Sequence, residues 1–148
     1  MVKGDECAWA PTIDNDKSSE TLERNIQNCG YDVKKDVRLG IDFASSSLWN
    51  PKKKIYEYKR HGKMRDADEQ LAYADYLINQ YDLIYVEDHL HEEDFDGMSQ
   101  LTKKNPHCLV TGDDLLVTNK ERVAIAAKKH SCSGAILKVN QAGSLYDA

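Results

Sequence analysis

No apolar run among the 148 residues approaches the roughly 18–20 that a membrane-spanning helix needs, so no spanning segment and no membrane partner are expected. No apolar stretch follows Met1-Val2-Lys3-Gly4-Asp5-Glu6, so a secretory signal is not expected either and the cytoplasm is the expected compartment. Cysteines are few and scattered (Cys7, Cys29, Cys108 and Cys132), with no C-x-x-C pair and no zinc-type spacing. That usage fits reduced thiols rather than a disulfide framework. There is no excess of positive charge: the net charge is −5, which argues against nucleic acid as a partner. The chain is also far short of the about 250 residues of a whole (β/α)8 barrel. What is present, 41% hydrophobic and 30% charged residues, is the composition of a soluble globular domain with a core of its own.

Short apolar runs alternate with helical periods. Residues 1–17 read as a loop. Leu22, Ile26 and Cys29 at i, i+4, i+7 predict a helix over 18–29, capped by Ser18 or Ser19 and stopped by Gly30. Residues 37–44 read as a strand and 55–58 as part of a peripheral hairpin. Asp66 and Glu69 open a helix over 66–80 whose stripe is Ala67, Leu71, Ala74 and Ile78. Leu83-Ile84-Tyr85-Val86 is a nearly continuous apolar strand, as in a parallel sheet covered on both faces. A weaker helix over 93–104 carries Phe95, Met98 and Leu101 inward and contains Gly97. Strand 108–111 follows, then a helix over 119–130 with Thr118 and Glu121 as a capping box and Lys128, Lys129 and His130 at its C-terminal end. Ala135-Ile136-Leu137 is the last core strand. This alternation predicts a parallel α/β fold.

Every core strand ends in charge. Asp42 follows the first, Glu87 and Asp88 the second, Asp113 and Asp114 the third, and Lys138 the fourth. Glu87, Asp113 and Lys138 stand 26 and 25 residues apart, a steady βα period that suits barrel units. Ligands of α/β folds bind at the carboxyl ends of strands. Three acids converging there would make a hard-oxygen site for Mg²⁺, and a lysine beside a divalent cation can serve as a base. The competing reading of each acid taken singly is the N-cap of the next helix. Four consecutive charged strand ends are harder to assign to capping alone, and the pattern leaves a metal-dependent active site and the capping reading both open.

Five motifs in order carry a resemblance. Gly4-Asp5-Glu6-Cys7-Ala8-Trp9-Ala10-Pro11 resembles the G-D-E-G-G-F-A-P motif of enolases, and Gly40-Ile41-Asp42-Phe43-Ala44-Ser45-Ser46 their G-x-D-x-A-A-S strand. Val86-Glu87-Asp88-His89 is similar to [VI]-E-D-P. Gly112-Asp113-Asp114-Leu115 with Val117-Thr118-Asn119 is similar to G-D-D-L-x-V-T-N, and residues 137–144 to L-K-V-N-Q-I-G-[ST]. Residues 92–97 look closest to archaeal-type enolases. The resemblance implies reversible dehydration of 2-phosphoglycerate to phosphoenolpyruvate with Mg²⁺. It implies Asp42, Glu87 and Asp113 as metal ligands, Lys138 as the base and Glu6 as the general acid, with Glu87, Asp113 and Lys138 also facing substrate. A second Mg²⁺ would lie near Ser45 and Ser46. It further implies that residues 1–148 are the central part of a C-terminal barrel domain, about four βα units of a (β/α)8 barrel.

The departures are large. The N-terminal α+β domain, the remaining barrel strands and the family's phosphate-gripping S-H-R-S loop have no counterpart in these 148 residues. Half a barrel has open edges, so the expectation is a chain that works within a longer enzyme, a homo-oligomer or an assembly with a complementing enolase chain. The alternative is a non-catalytic fragment or assembly module, inactive alone. Cys7-Ala8-Trp9 stands where the family has Gly-Gly-Phe, and His89 where it has proline. Residues 52–65 hold seven Lys/Arg against one acid, Glu57, and read as a solvated hairpin. His89 and His91 lack a third partner for zinc.

Overall fold

The computed structural model describes residues 2–3 and 9–148. The chain divides into two compact units, Met1–Val37 and Arg38–Ala148. The first contains a short antiparallel pair, β1 (Val2–Lys3) and β2 (Trp9–Ala10), and helix α1 (Asn15–Asn28). Asp14, not Ser18 or Ser19, caps α1, its side chain accepting from the Asp16 backbone. Gly30, at φ +85°, ends it as expected. The predicted apolar stripe is not buried: Leu22 is exposed, Ile26 half-buried and Cys29 exposed, and only Ser19 of this helix is buried. Periodicity located the helix but not the face it covers.

In the second unit, β3 (Gly40–Asp42), β7 (Tyr85–Glu87), β8 (Leu109–Gly112) and β9 (Gly134–Ala135) form one parallel sheet in the order β3-β7-β8-β9. Between β3 and β7 lie a single 3-10 turn (Ser45–Leu48) and an antiparallel sheet of β4 (Trp49–Asn50), β5 (Ile55–Tyr58) and β6 (Lys63–Arg65), followed by α2 (Ala67–Tyr81). Helices α3 (Phe95–Lys104) and α4 (Lys120–Lys129) connect the later strands, and a single turn, α5 (Val139–Ala142), follows β9. The parallel α/β architecture with about four βα units is as the sequence implied, and the sheet is open, with β3 and β9 at its edges.

The core forms on one face of this sheet. Val86 and Val110, paired in register across β7 and β8, are fully buried, as are Ile78, Met98 and Leu101. Fully burying side chains of this size contributes about 1.5–3 kcal/mol each. On α2 the buried stripe runs through Gln70, Ala74, Leu77 and Ile78, while Ala67 and Leu71 are only half-buried. The Asp66–Glu69 capping box is present in full. Alternation along the strands sends Tyr85, Glu87, Leu109 and Thr111 to the opposite face, where Leu109 remains 45% exposed.

Gly97 does not weaken α3. It lies in the first turn, its N–H bonded to Asp94 Oδ1 at 2.8 Å, and it packs against Leu90 and Asp94 with no room for a Cβ. The capping box read for α4 is corrected: Asn119 is the cap, accepting from Glu121 and Arg122 backbone N–H at 3.0 Å each. The basic hairpin is largely solvated, and two of its cations make specific contacts as follows. Lys53 pairs with Glu57 at 2.9 Å, and Arg65 lies over the Tyr73 and Tyr58 rings at 3.7 and 4.5 Å. Cys29, Cys108 and Cys132 are free thiols, and no helix among the described residues is long and apolar enough to cross a membrane.

Candidate active site

Register brings the predicted residues to one end of the sheet. Asp42 closes β3 and pairs in register with Glu87, which closes β7; Glu87 in turn stands opposite Thr111 of β8. Asp113 is the first residue after β8, and Lys138 is the N-cap of α5. Parallel strands in register necessarily put their carboxyl ends together. The four side chains therefore share one rim although up to 96 residues separate them in sequence.

Each is held differently. Asp42 is exposed, and its Oδ1 accepts from the Ala44 backbone at 2.9 Å. The Glu87 Oε2 accepts a short hydrogen bond from the Tyr85 hydroxyl, its neighbour two positions back on the same face. Burial pushes the Glu87 carboxyl above its usual range; the Tyr85 bond opposes this, and the charges of Asp42 and Asp113 add to it. The Tyr85 hydroxyl is itself pushed well up by burial and by Glu87. Asp113 is buried, with Lys138 Nζ in close contact with Oδ2 and Gln141 Nε2 at 3.3 Å from Oδ1.

Asp88 takes no outward role. Its carboxylate turns onto the loop after β8 and accepts backbone hydrogen bonds from Asp113, Asp114 and Leu115. Burial raises it to about 6, against the pull of those backbone donors. Asp114 is also raised, by burial and by the charge of Asp113. The backbone here is unusual. Ala44, Asp88, Val117 and Thr118 all have positive φ, at 44°, 40°, 43° and 52°. Such conformations cost of order 1–3 kcal/mol each and persist only where surrounding contacts enforce them. That four lie beside the candidate residues marks the strand-end loops as the constrained part of the fold.

The serines of the loop expected near a second metal accept hydrogen bonds from within the fold. Ser45 is buried, its Oγ accepting from Gln70 Nε2 at 3.3 Å, and Ser46 Oγ accepts from the Glu92 backbone at 3.0 Å. Gln70 also donates to the His89 carbonyl at 3.2 Å and accepts from the Tyr58 hydroxyl at 2.8 Å, so one buried amide ties this loop to the end of β7. Glu6 lies outside the described residues.

Three carboxylates are the hard-oxygen donor set that Mg²⁺ takes, and the mutual push of Asp42 and Asp113 on Glu87 is what converging acids produce. The donor chemistry thus fits the ion. The spacing in this arrangement is looser: among the described residues, no three His, Cys, Asp or Glu side chains gather closely enough to hold a metal ion. Tyr85 engages one Glu87 oxygen, and Lys138 and Gln141 engage both Asp113 oxygens. His89 is fully buried, and among the described residues neither ring nitrogen has a hydrogen-bond partner.

Tyr85, Gln70, Thr118 and Gln141 are contacts that sequence reasoning did not assign. Tyr85 had a signal, since strand alternation places it on the face of Glu87. Gln70 had one too, an amide at a core position of α2. Thr118 and Gln141 fall inside two of the quoted motifs, but nothing in a linear pattern says that they meet.

Comparison with known proteins bears on the whole chain. A family profile described as "Enolase, C-terminal TIM barrel domain" matches residues 2–148. The chain is 40% identical to the enolase of Methanosphaera stadtmanae over 146 residues, covering 98% of this chain and 35% of that protein. It is 40% identical to the enolase of Pyrobaculum aerophilum, covering 99% and 34%, and 38% identical to that of Archaeoglobus fulgidus, covering 97% and 35%. The chain thus spans about a third of the length of the curated relatives it matches. On the match of nearly the whole chain to that domain, the chain belongs to the enolase family.

Proposed function

We propose that this chain carries the metal-binding and proton-abstracting part of an enolase active site, acting on 2-phosphoglycerate and phosphoenolpyruvate within a longer or assembled enzyme. The observation that supports it is the placement of Asp42, Glu87, Asp113 and Lys138 on the carboxyl ends of four adjacent parallel strands. In this reading Asp42, Glu87 and Asp113 hold Mg²⁺. The ion, when bound, supplies positive charge against the substrate carboxylate, whose negative charge grows as the neighbouring carbon loses its proton. Lys138 takes that proton, and Glu6 protonates the departing hydroxyl, which is otherwise a poor leaving group. Asp113 orients Lys138 through the contact with Nζ. Tyr85 donates to Glu87 Oε2, an outer-sphere contact of the kind that sets ligand orientation.

The open edges β3 and β9 favour completion of the sheet by further strands, from the same polypeptide, a second copy or a complementing chain. The test is therefore a chimera. Residues 2–148 replace the matching segment of the Methanosphaera stadtmanae enolase, and phosphoenolpyruvate formation is followed by absorbance. The expected result is Mg²⁺-dependent turnover that falls by about a thousandfold in Lys138→Ala, the range general-base loss produces. A folded chimera with no turnover, or one indifferent to Lys138→Ala, contradicts the reading.

A further inference from the structure

Thr118 is the second of two consecutive β-branched residues in the left-handed region, at φ 52° after Val117 at 43°. Side chains of this shape avoid that conformation, so something in the fold must hold them there. Helix capping does not account for the Thr118 hydroxyl, because Asn119 caps α4. The turn's own backbone bonds, Val117 N–H to Asp113 O at 2.7 Å and Asn119 N–H to Leu116 O at 2.9 Å, do not use it either.

The hydroxyl instead completes a ring of hydrogen bonds. Thr118 Oγ1 donates to Gln141 Oε1 at 3.0 Å. Gln141 Nε2 donates to Asp113 Oδ1 at 3.3 Å. Lys138 Nζ meets Asp113 Oδ2, and the Lys138 backbone N–H donates to Thr118 Oγ1 at 2.8 Å, which closes the ring. Its polarity is unique. The carboxylate accepts only, so Gln141 must turn its NH₂ to Asp113 and its carbonyl to Thr118. Thr118 must then spend its single proton on Gln141 and accept from Lys138. Thr118 and Asp113 are buried, while Gln141 is exposed, so breaking the ring leaves the Thr118 hydroxyl and an Asp113 oxygen short of a partner in buried surroundings.

We propose that Thr118, acting through Gln141, is a positioning residue that fixes Lys138 against Asp113. The proposal deepens the lyase reading and rests on it for the meaning of Lys138, but its test needs neither substrate nor metal. The probe is zero-length carbodiimide cross-linking of the full chain, read by peptide mass spectrometry. Wild type is expected to give a Lys138–Asp113 isopeptide bond. The ion pairs Lys104–Asp75 and Lys129–Asp96, at 2.8 Å each, are internal references. Thr118→Val keeps the shape and removes both hydroxyl bonds. It is expected to lower the Lys138–Asp113 yield by about fivefold, the factor carried by one hydrogen bond of ordinary net strength, with the reference yields unchanged. Thr118→Ser is expected to restore it. Gln141→Met breaks the ring from an exposed residue and is expected to reproduce the loss, so it decides the matter if Thr118→Val does not fold. An unchanged Lys138–Asp113 yield in Gln141→Met, or a fall shared by both reference pairs in that variant, overturns the proposal. Loss of turnover in the enolase chimera with the cross-link intact would count against the lyase reading alone.

Discussion

The Asp88 carboxylate at the end of β7 accepts the backbone hydrogens of Asp113 at 3.1 Å and Asp114 at 2.8 Å, and so clamps the loop that carries Asp113. The two central strands are thereby tied at the rim where the candidate site lies. Asp88→Ala removes both acceptor oxygens and leaves those backbone N–H groups unpaired. It is expected to destabilise the chain by roughly 1–3 kcal/mol, the cost of leaving a buried donor unsatisfied. Urea unfolding checks this; a loss under about 0.5 kcal/mol would mean that the loop holds itself.

His89 stands beside Asp88 and titrates the other way. Burial lowers the imidazole to about 3, so the neutral ring favours the native state above the ordinary histidine range, and this contribution fades as pH falls through it. Asp88, raised to about 6, contributes stability that is fully present below the ordinary aspartate range and is lost as pH rises through 6. On acidification the two therefore oppose each other, so the wild-type profile between about pH 7 and pH 4 is expected to lose less stability than His89 alone would cost. His89→Leu removes one side of the balance. Its stability advantage over wild type is expected to widen by roughly 3 kcal/mol across that window. Parallel pH profiles for the two proteins would contradict the burial account.

Gly97 tests a conflict between propensity and packing. Alanine gains about 1 kcal/mol over glycine in a helix, but a Cβ at this position would press on Leu90 and come within 2.7 Å of Oδ2 of Asp94, whose Oδ1 caps the same helix. Gly97→Ala is expected to destabilise by about 1–2 kcal/mol net, as overpacking does. A rise in thermal midpoint would show that Leu90 and Asp94 yield freely.

Most of the architecture was legible because it rests on local signals. Asp66 and Glu69 announced their capping box, and the βα period announced parallel strands. The rim was legible because strand ends in a parallel sheet must coincide, so charge at Asp42, Glu87, Asp113 and Lys138 meant proximity. Facing was less legible. Leu22, Ile26 and Cys29 are regularly spaced yet none is buried, since periodicity says nothing of what lies opposite. Asn119 displaced Thr118 as a cap because two adjacent residues could each serve, and only the backbone decides between them. The ring joining Thr118, Gln141, Asp113 and Lys138 was hidden because its members come from two separate segments, the loop after β8 and the turn after β9. The neutral state of His89 was hidden because burial, not residue type, sets it.

The central claim is that Lys138 removes the carbon-bound proton while the acids of the neighbouring strands hold the cation. Exchange of that proton with solvent deuterium, followed by NMR on 2-phosphoglycerate with the enolase chimera and Mg²⁺, tests it most directly. The account predicts exchange that survives Glu6→Gln, which blocks departure of the hydroxyl, and vanishes in Lys138→Ala. Exchange that persists in Lys138→Ala would contradict it.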